Sequence, residues 1–226
     1  MNQQLITRRM RRIVISALSL CLAATSLFAQ PVAADVVTVG TVTTSGNVVN
    51  VPVYIRDVSG TPLGIDQPAG SRIQSFSIKV NYAPASAVQS VTFTRAGITA
   101  PLTPTFENSP QTAGSVSLLD TFAEATNLIP FTSNAGAPGD YIGTLHFVLA
   151  SAATPGTTIA LTLDPVLTQL TDEGGSPATR ESVGGGNLVL VAGAINVTAA
   201  VPTLSTWALA LLAAILAFAA LRLRIS

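Results

Sequence analysis

The middle of the chain alternates between apolar and polar residues with a period of two. The pattern is clearest over 75–82 and returns over 144–149 and 158–163. Such alternation turns one face of each strand towards a core and the other towards water, which is typical of antiparallel sheets packed face to face. In the clearest segment the apolar positions are Phe76, Ile78, Val80 and Tyr82.

Nine segments with this character are separated by turns rich in Gly, Pro, Asn, Asp and Ser. Their number and spacing predict an all-β fold, a nine-stranded jelly-roll β-sandwich over residues 35–200. One short helical turn is predicted within 120–128. The predicted strands are 36–44, 48–56, 72–82, 87–95, 115–119, 141–150, 157–163, 166–171 and 187–198.

The N-terminal segment 1–34 has the pattern of a secretory signal peptide. Four arginines precede an apolar run over 13–28, and small residues follow it. We expect cleavage after Ala34, with a cut after Ala29 as the second choice and an uncleaved anchor as the rival interpretation. The single cysteine lies in this segment, so the mature domain would be stabilised by its hydrophobic core without disulfides.

The C-terminal segment 201–226 ends in a second apolar run. Residues 207–223 form the predicted transmembrane helix, about 25 Å long, with Trp207 at the outer interface. Arg222 and Arg224 close the run and favour a cytoplasmic C-terminus. A buried core helix is the alternative, but it does not explain a terminal apolar run closed by arginines.

Composition limits the functions open to the middle of the chain. Residues 35–200 carry five basic and all 11 acidic residues, a formal charge of −6 that repels phosphate backbones, so no nucleic-acid partner is expected. His146 is the single histidine, too few for a zinc site or a convincing Ser–His–Asp triad. Neither a cofactor nor a resident metal is predicted.

Acidic and aromatic residues leave weaker alternatives. Asp120 with Glu124, and Asp172 with Glu173, are the closest carboxylate pairs for glycoside hydrolysis, although the second pair reads better as a turn. Calcium binding by an acidic loop stays open. Tyr54 is the best exposed candidate for a ligand contact, with core packing as its competing role; the domain has no tryptophan to stack on a sugar.

The tail resembles the IPTL-CTERM sorting signal of Gram-negative bacteria, with Val for Ile at the first position and Ala208 for the usual Gly. That resemblance implies that an exosortase-type membrane transpeptidase recognises the tail, cuts near it and passes the protein from the inner membrane to the surface or outward. These residues would be substrate, not catalyst. The matching residues are Val201, Pro202, Thr203, Leu204, Ser205 and Trp207.

The middle of the chain resembles the cohesin-like domain. The resemblance lies in the Val-Pro-Val strand at 51–53, the hairpin over 73–94 and the unit over 142–163, whereas Ala83 replaces a usual acid. It implies a sandwich related to carbohydrate-binding modules, often with a flat face for a protein partner. We therefore expect an exported, non-enzymatic binding or structural module; the alternative is a carbohydrate-binding module for polysaccharide attachment or breakdown.

Overall fold

The computed structural model describes residues 32–151, 153–173, 179–200, 211 and 213–215. Residues 35–197 fold into two β-sheets with an apolar core between them, so the predicted all-β sandwich is confirmed. The strands of the described residues are β1 (Asp35–Val39), β2 (Thr41–Thr44), β3 (Val48–Arg56), β4 (Ser75–Ala83), β5 (Val88–Arg95), β6 (Phe106–Asn108), β7 (Gln111–Thr112), β8 (Ser115–Thr121), β9 (Asp140–Leu149), β10 (Thr158–Leu163), β11 (Gln169–Thr171), β12 (Arg180–Ser182), β13 (Leu188–Val191) and β14 (Gly193–Val197).

The smaller sheet has five strands in the order β13-β1-β3-β9-β5. The larger sheet runs β12-β11-β4-β10-β14-β2; β8 also pairs with β4, and β6 and β7 pair with β8. Most neighbouring strands are antiparallel, but β1 pairs with β13 and β2 pairs with β14 in parallel. The two ends of the domain therefore run side by side.

The predicted number of nine strands is wrong, because the described residues contain fourteen. The predicted strand 36–44 breaks at Gly40 and the predicted strand 187–198 breaks at Ala192, since each crosses from the smaller sheet to the larger one. The crossing is tight: a Cβ atom on Gly193 would lie 2.1 Å from the carbonyl oxygen of Gly40. The short strands β6, β7 and β12 give too few residues for alternation to show.

The core follows the alternation seen in the sequence. Inward-facing residues of β4, β9 and β10 are buried, and Phe147 lies edge-on against Tyr82 with ring centroids 5.8 Å apart. Each fully buried large apolar side chain contributes about 1.5–3 kcal/mol. The inward positions of these three strands are Phe76, Ile78, Val80, Tyr82, Leu145, Phe147, Leu149, Ile159, Leu161 and Leu163.

Two connections complete the part of the fold that matters below. The predicted helical turn is present as α1 (Glu124–Asn127), but Asp120 belongs to β8 instead. The connection 57–74 between β3 and β4 folds back over one end of the sandwich, where Leu63 and Ile73 join the core. This connection positions the acidic residues described in the next section.

Candidate functional site

The predicted sorting signal, Val201 to Ser205 with Trp207, lies outside the described residues, as does most of the predicted transmembrane helix 207–223. Residues 211 and 213–215 are helical and exposed. Within the described part of the chain, no helix has the length and apolar character needed to cross a membrane.

The predicted cleavage position Ala34 directly precedes the first strand. Ala34 is half-buried, and Asp35, which begins β1, is fully buried. The backbone N–H of Asp35 donates to the carbonyl oxygen of Asn187 at 3.0 Å. Cleavage after Ala34 stays a prediction, and it would place the new N-terminus at the start of a buried strand.

The outer face of the smaller sheet carries Tyr54. This half-buried side chain packs beside Tyr141 on the neighbouring strand, with ring centroids 5.7 Å apart, and the Tyr141 hydroxyl is hydrogen-bonded to that of Thr144. Tyr54 therefore lies outside the core, on a face that a ligand could reach. A ligand contact there stays a prediction.

His146 occupies the same outer face, because it alternates with the buried Leu145 and Phe147 on the same strand. Its Nδ1 atom lies 2.7 Å from Oδ1 of Asn50, an exposed residue on β3. In the described residues, no three His, Cys, Asp or Glu side chains form a group arranged to hold a metal ion. The surroundings of His146 are those of a surface histidine with an amide partner.

The outer face of the larger sheet is mainly polar. Its central strand β4 presents half-buried Ser75, Ser77, Lys79 and Asn81, and serine and threonine dominate the adjacent strands. Two exposed apolar side chains border this face: Phe106 on β6, and Leu167, whose carbonyl accepts a hydrogen bond from the Ser77 hydroxyl at 3.0 Å. An open sheet surface with exposed apolar side chains suits a protein contact better than the enclosure of a small molecule.

A shallow groove of about 470 Å³ lies at the β13 edge of the smaller sheet. Val189 and Val191, both exposed, form its apolar side together with Pro138. The Nε atom of Arg56 is buried there and has no hydrogen-bond partner. This single basic group on an apolar surface was not singled out from the sequence.

In the two carboxylate pairs suggested by the sequence, the two members of each pair have different surroundings. Glu124 forms an ion pair with Arg72 at 3.6 Å, whereas Asp120 faces inward on β8 and is 1% exposed. Asp172 accepts a hydrogen bond from the Thr179 hydroxyl, and Glu173 accepts one from the backbone N–H of Glu124. Neither pair presents two free carboxylates to one open cleft, as glycoside hydrolysis requires.

Asp120 is nevertheless chemically unusual. Burial raises the pKa of its carboxyl to about 7, with Glu107 adding to the rise and Arg95 opposing it. Neither carboxylate oxygen has a hydrogen-bond partner. Asp120 therefore keeps its proton at pH values at which an exposed aspartate is ionised.

A second group of acids gathers at the end of the sandwich near the connection 57–74. Asp35, Asp57 and Glu181 are each 0% exposed. Burial raises the pKa of Asp35 to about 9, and a hydrogen bond and repulsion from Glu181 add to that rise. Burial also raises the pKa values of Asp57 and Glu181. Sequence reasoning missed this group, which we call the acidic cluster.

The alternation itself could have revealed the inward acids. Asp57 continues the parity of the buried residues of β3, and Asp35 shares the parity of Val37 and Val39. Asp120 likewise follows Val116 and Leu118 on the inward face of β8. An acidic residue that takes the place of an apolar residue in the alternation of a strand therefore indicates a buried acid. The sequence analysis missed these residues because turns and strand ends usually expose acidic side chains.

The end of the chain matches a known family model. Residues 199–224 match the model described as the IPTL-CTERM motif, which confirms the predicted signal. The matched range contains all six residues of that signal. No match was found among curated proteins.

The sandwich is similar to solved cohesins. The third cohesin of ScaC from Acetivibrio cellulolyticus, solved with the ScaB dockerin, has a TM-score of 0.51 and 19% identity, covering 73% of this chain and 99% of that one. CaCohA2 of Clostridium acetobutylicum, solved in complex with a variant of CaDoc0917, has a TM-score of 0.49 and 26% identity, covering 73% and 99%. The ScaC match shows a cohesin-like fold for the sandwich.

Proposed function

We propose that this chain is an exported cell-surface protein whose cohesin-like sandwich is a non-catalytic binding or structural module. The observation that carries the proposal is the order of its parts: a complete sandwich over 35–197, followed directly by the IPTL-CTERM match at 199–224. A terminal signal of this kind serves to deliver the domain that precedes it. In this proposal an exosortase-type transpeptidase cuts the tail, which anchors the precursor in the inner membrane until then.

The sorting step is tested with substitutions at two positions of the signal and with a control substitution at its variable position. Pro202→Ala and Trp207→Ala should leave export intact but hold the protein at the inner membrane, because both positions belong to the signal. Thr206→Ala is the matched control, since Thr206 fills the variable position between Ser205 and Trp207. Fractionation of a host that carries the transpeptidase, with mass spectrometry of the surface form, measures both sorting and the new C-terminus.

The result against this proposal is equally definite. If intact protein ending at Ser226 reaches the surface, and if both variants are sorted like the wild type, the tail is a permanent anchor. N-terminal sequencing of the same sample checks cleavage after Ala34. An uncleaved Met1 terminus would replace the predicted signal peptide by a second anchor.

We propose that the partner of the module is a protein, bound on the outer face of the larger sheet. That face is mainly polar and is bordered by exposed apolar Phe106 and Leu167. The similar cohesin of ScaC was solved in complex with a dockerin. A catalytic role lacks support, since the carboxylates suggested for it point to separate partners.

The binding face is tested with two equivalent changes on opposite sheets. Ser77→Arg places a large cation at the centre of the proposed face, and Thr92→Arg does the same on the exposed surface of β5. Capture from native envelope extract, followed by mass spectrometry, should give one protein with wild type and Thr92→Arg, and lose it with Ser77→Arg. Equal capture by both variants would place the contact elsewhere.

The alternative is a carbohydrate-binding module. It is favoured by the Tyr54–Tyr141 pair, because aromatic rings on an open sheet face can stack on sugars. A glycan array probed with the exported protein decides between the two. Robust sugar binding that is lost on Tyr54→Ala and kept on Ser77→Arg would replace the protein partner with a polysaccharide.

A further inference from the structure

The acidic cluster is built from three separate parts of the chain. Asp35 comes from β1, Asp57 follows β3, and Glu181 lies on β12, yet all three are fully buried. In each carboxylate one oxygen accepts a backbone N–H and the other has no partner. The donors are Val58 N to Asp35 Oδ1 at 2.7 Å, Ile65 N to Asp57 Oδ2 at 2.7 Å and Leu63 N to Glu181 Oε1 at 2.9 Å.

Asp35 and Glu181 face each other. Their side chains lie within hydrogen-bond reach of each other, although a bond between them requires a proton on one of the two acids. Asp57 lies near enough for its charge to raise the pKa of both. The unpartnered atoms of this pair are Oδ2 of Asp35 and Oε2 of Glu181. Two buried carboxylates in contact cannot both stay ionised without a neutralising charge.

In the part of the chain that the structure describes, no basic side chain is paired with the cluster. Among the described residues, the ion pairs are Arg72–Glu124 and Arg95–Glu107, and neither includes a member of the cluster. The neighbours that influence the pKa values of Asp35 and Glu181 are other acids, a hydroxyl and backbone groups. Cleavage after Ala34 would add one ammonium group at Asp35, a single positive charge against three acids.

Thr61 adds further oxygen atoms to the same place. Its hydroxyl is buried and contacts the carbonyl oxygens of Val58, at 3.0 Å, and of Leu63. The same hydroxyl lies close enough to Glu181 to lower the pKa of that acid. A hydroxyl has one proton to donate, so this pocket holds more acceptor oxygens than protons to satisfy them.

We propose that Asp35 and Glu181 form a calcium site through their unpartnered oxygens, completed by the Thr61 hydroxyl and neighbouring backbone carbonyls. Two carboxylates with neutral oxygen donors suit Ca²⁺, which accepts six to eight oxygen ligands in flexible geometry. The site offers no sulfur or imidazole, the donors that favour zinc or copper.

Bound calcium would link the two ends of the domain. Asp35 is the first residue of β1, and Glu181 lies on β12 more than a hundred residues later. The ion would also hold the connection 57–74 in place, because this connection donates backbone N–H groups to both residues. Ca²⁺ should therefore stabilise the folded domain by preferential binding, independently of how the tail is processed.

The test uses the full chain purified in detergent and stripped with EDTA. Equilibrium dialysis with radioactive ⁴⁵Ca²⁺ measures binding, and circular dichroism follows thermal unfolding with and without about 5 mM CaCl₂, above the affinity range of extracellular calcium modules. We expect one bound ion and a midpoint raised by several degrees. Magnesium should give a much smaller shift, because it demands near-ideal octahedral geometry.

Variants locate the ion. Glu181→Gln and Asp35→Asn keep an oxygen for the backbone donors but remove charge, so both should abolish the calcium-dependent shift. Asp164→Asn is the control, since Asp164 accepts N–H groups of Val166 and Leu167 away from the cluster. If a variant fails to fold, the wild-type dialysis still decides. Absence of bound calcium and of any shift in the wild type would overturn the proposal and leave a proton shared between Asp35 and Glu181.

Discussion

The central strands and the terminal strands of the sandwich are built on different principles. The central strands β3, β4, β5, β8, β9 and β10 are antiparallel and owe their positions to alternating apolar residues. The terminal strands β1, β2, β13 and β14 pair in parallel, cross between the sheets at Gly40 and Ala192, and begin at a buried acid. The centre is thus sensitive to lost apolar volume, whereas the terminal strands are sensitive to added atoms and to charge.

The largest expected effect comes from removing volume in the centre. Phe147 is 0% exposed and packs edge-on against Tyr82, so Phe147→Ala should lower the free energy of unfolding by about 3–5 kcal/mol. Urea unfolding followed by circular dichroism measures this. Val148→Ala, on the outer face of the same strand, should cost about 1 kcal/mol or less. Similar losses for the two would contradict the assignment of inner and outer faces.

The next effect comes from adding a single carbon to the terminal strands. A Cβ atom on Gly193 would meet the carbonyl oxygens of Gly40 at 2.1 Å and Val39 at 2.5 Å, and both are backbone atoms. Gly193→Ala should therefore cost about 3 kcal/mol. In Gly184→Ala the new carbon has no neighbour within 4 Å, so stability should barely change. If Gly193→Ala unfolds like the wild type, the crossing is looser than described.

The smallest of the three effects concerns charge: one buried acid of the central strands makes stability depend on pH. Asp120 is an acid within the central strands, with a pKa raised from 3.8 to about 7. A raised folded-state pKa means that stability is fullest below pH 4 and falls as pH rises towards 7. Asp120→Asn should remove that fall and stabilise the protein at pH 8 by about 2 kcal/mol, less than the full pKa difference implies, because an amide is also costly to bury.

The control for this pH profile is Asp164→Asn. Backbone N–H groups of Leu167 and Val166 lower the pKa of Asp164, so its contribution is constant above pH 4 and is lost only in more acidic solution. Unfolding midpoints measured from pH 5 to pH 8 in saturating calcium should change in slope for Asp120→Asn alone. An unchanged slope in that variant would mean that Asp120 is ionised in the folded state.

The sequence predicts the central strands of the fold better than the terminal strands. Alternation located the central strands because each has one inner and one outer face, and the inward parity of Phe76 and Ile159 is as predicted. It joined β1 to β2, and β13 to β14, because a chain that changes sheets keeps its β-rich composition across the break. Gly40 marks one break, but one glycine within a strand has several possible causes.

The candidate sites divide in the same way. The tail could be recognised because a sorting signal is a contiguous string of residues. The acidic cluster could not, because Asp35, Asp57 and Glu181 meet only after the ends of the chain are brought together. Pairs such as Asp120 with Glu124 attracted attention through nearness in sequence, but the turn from β8 into α1 gives them separate surroundings.

In the proposed export, the parallel pairing of the chain ends also sets an order of events. Asp35 aligns with Leu188 and Thr44 with Val197. β1 therefore gains its second neighbour, and the edge strand β2 its neighbour, only when the last strands have emerged. Closing so long a loop is slow. A molecule whose translocation stalls before Leu188 would keep one side of β1 open. An envelope protease could then tell an interrupted chain from a finished one by that unpaired strand.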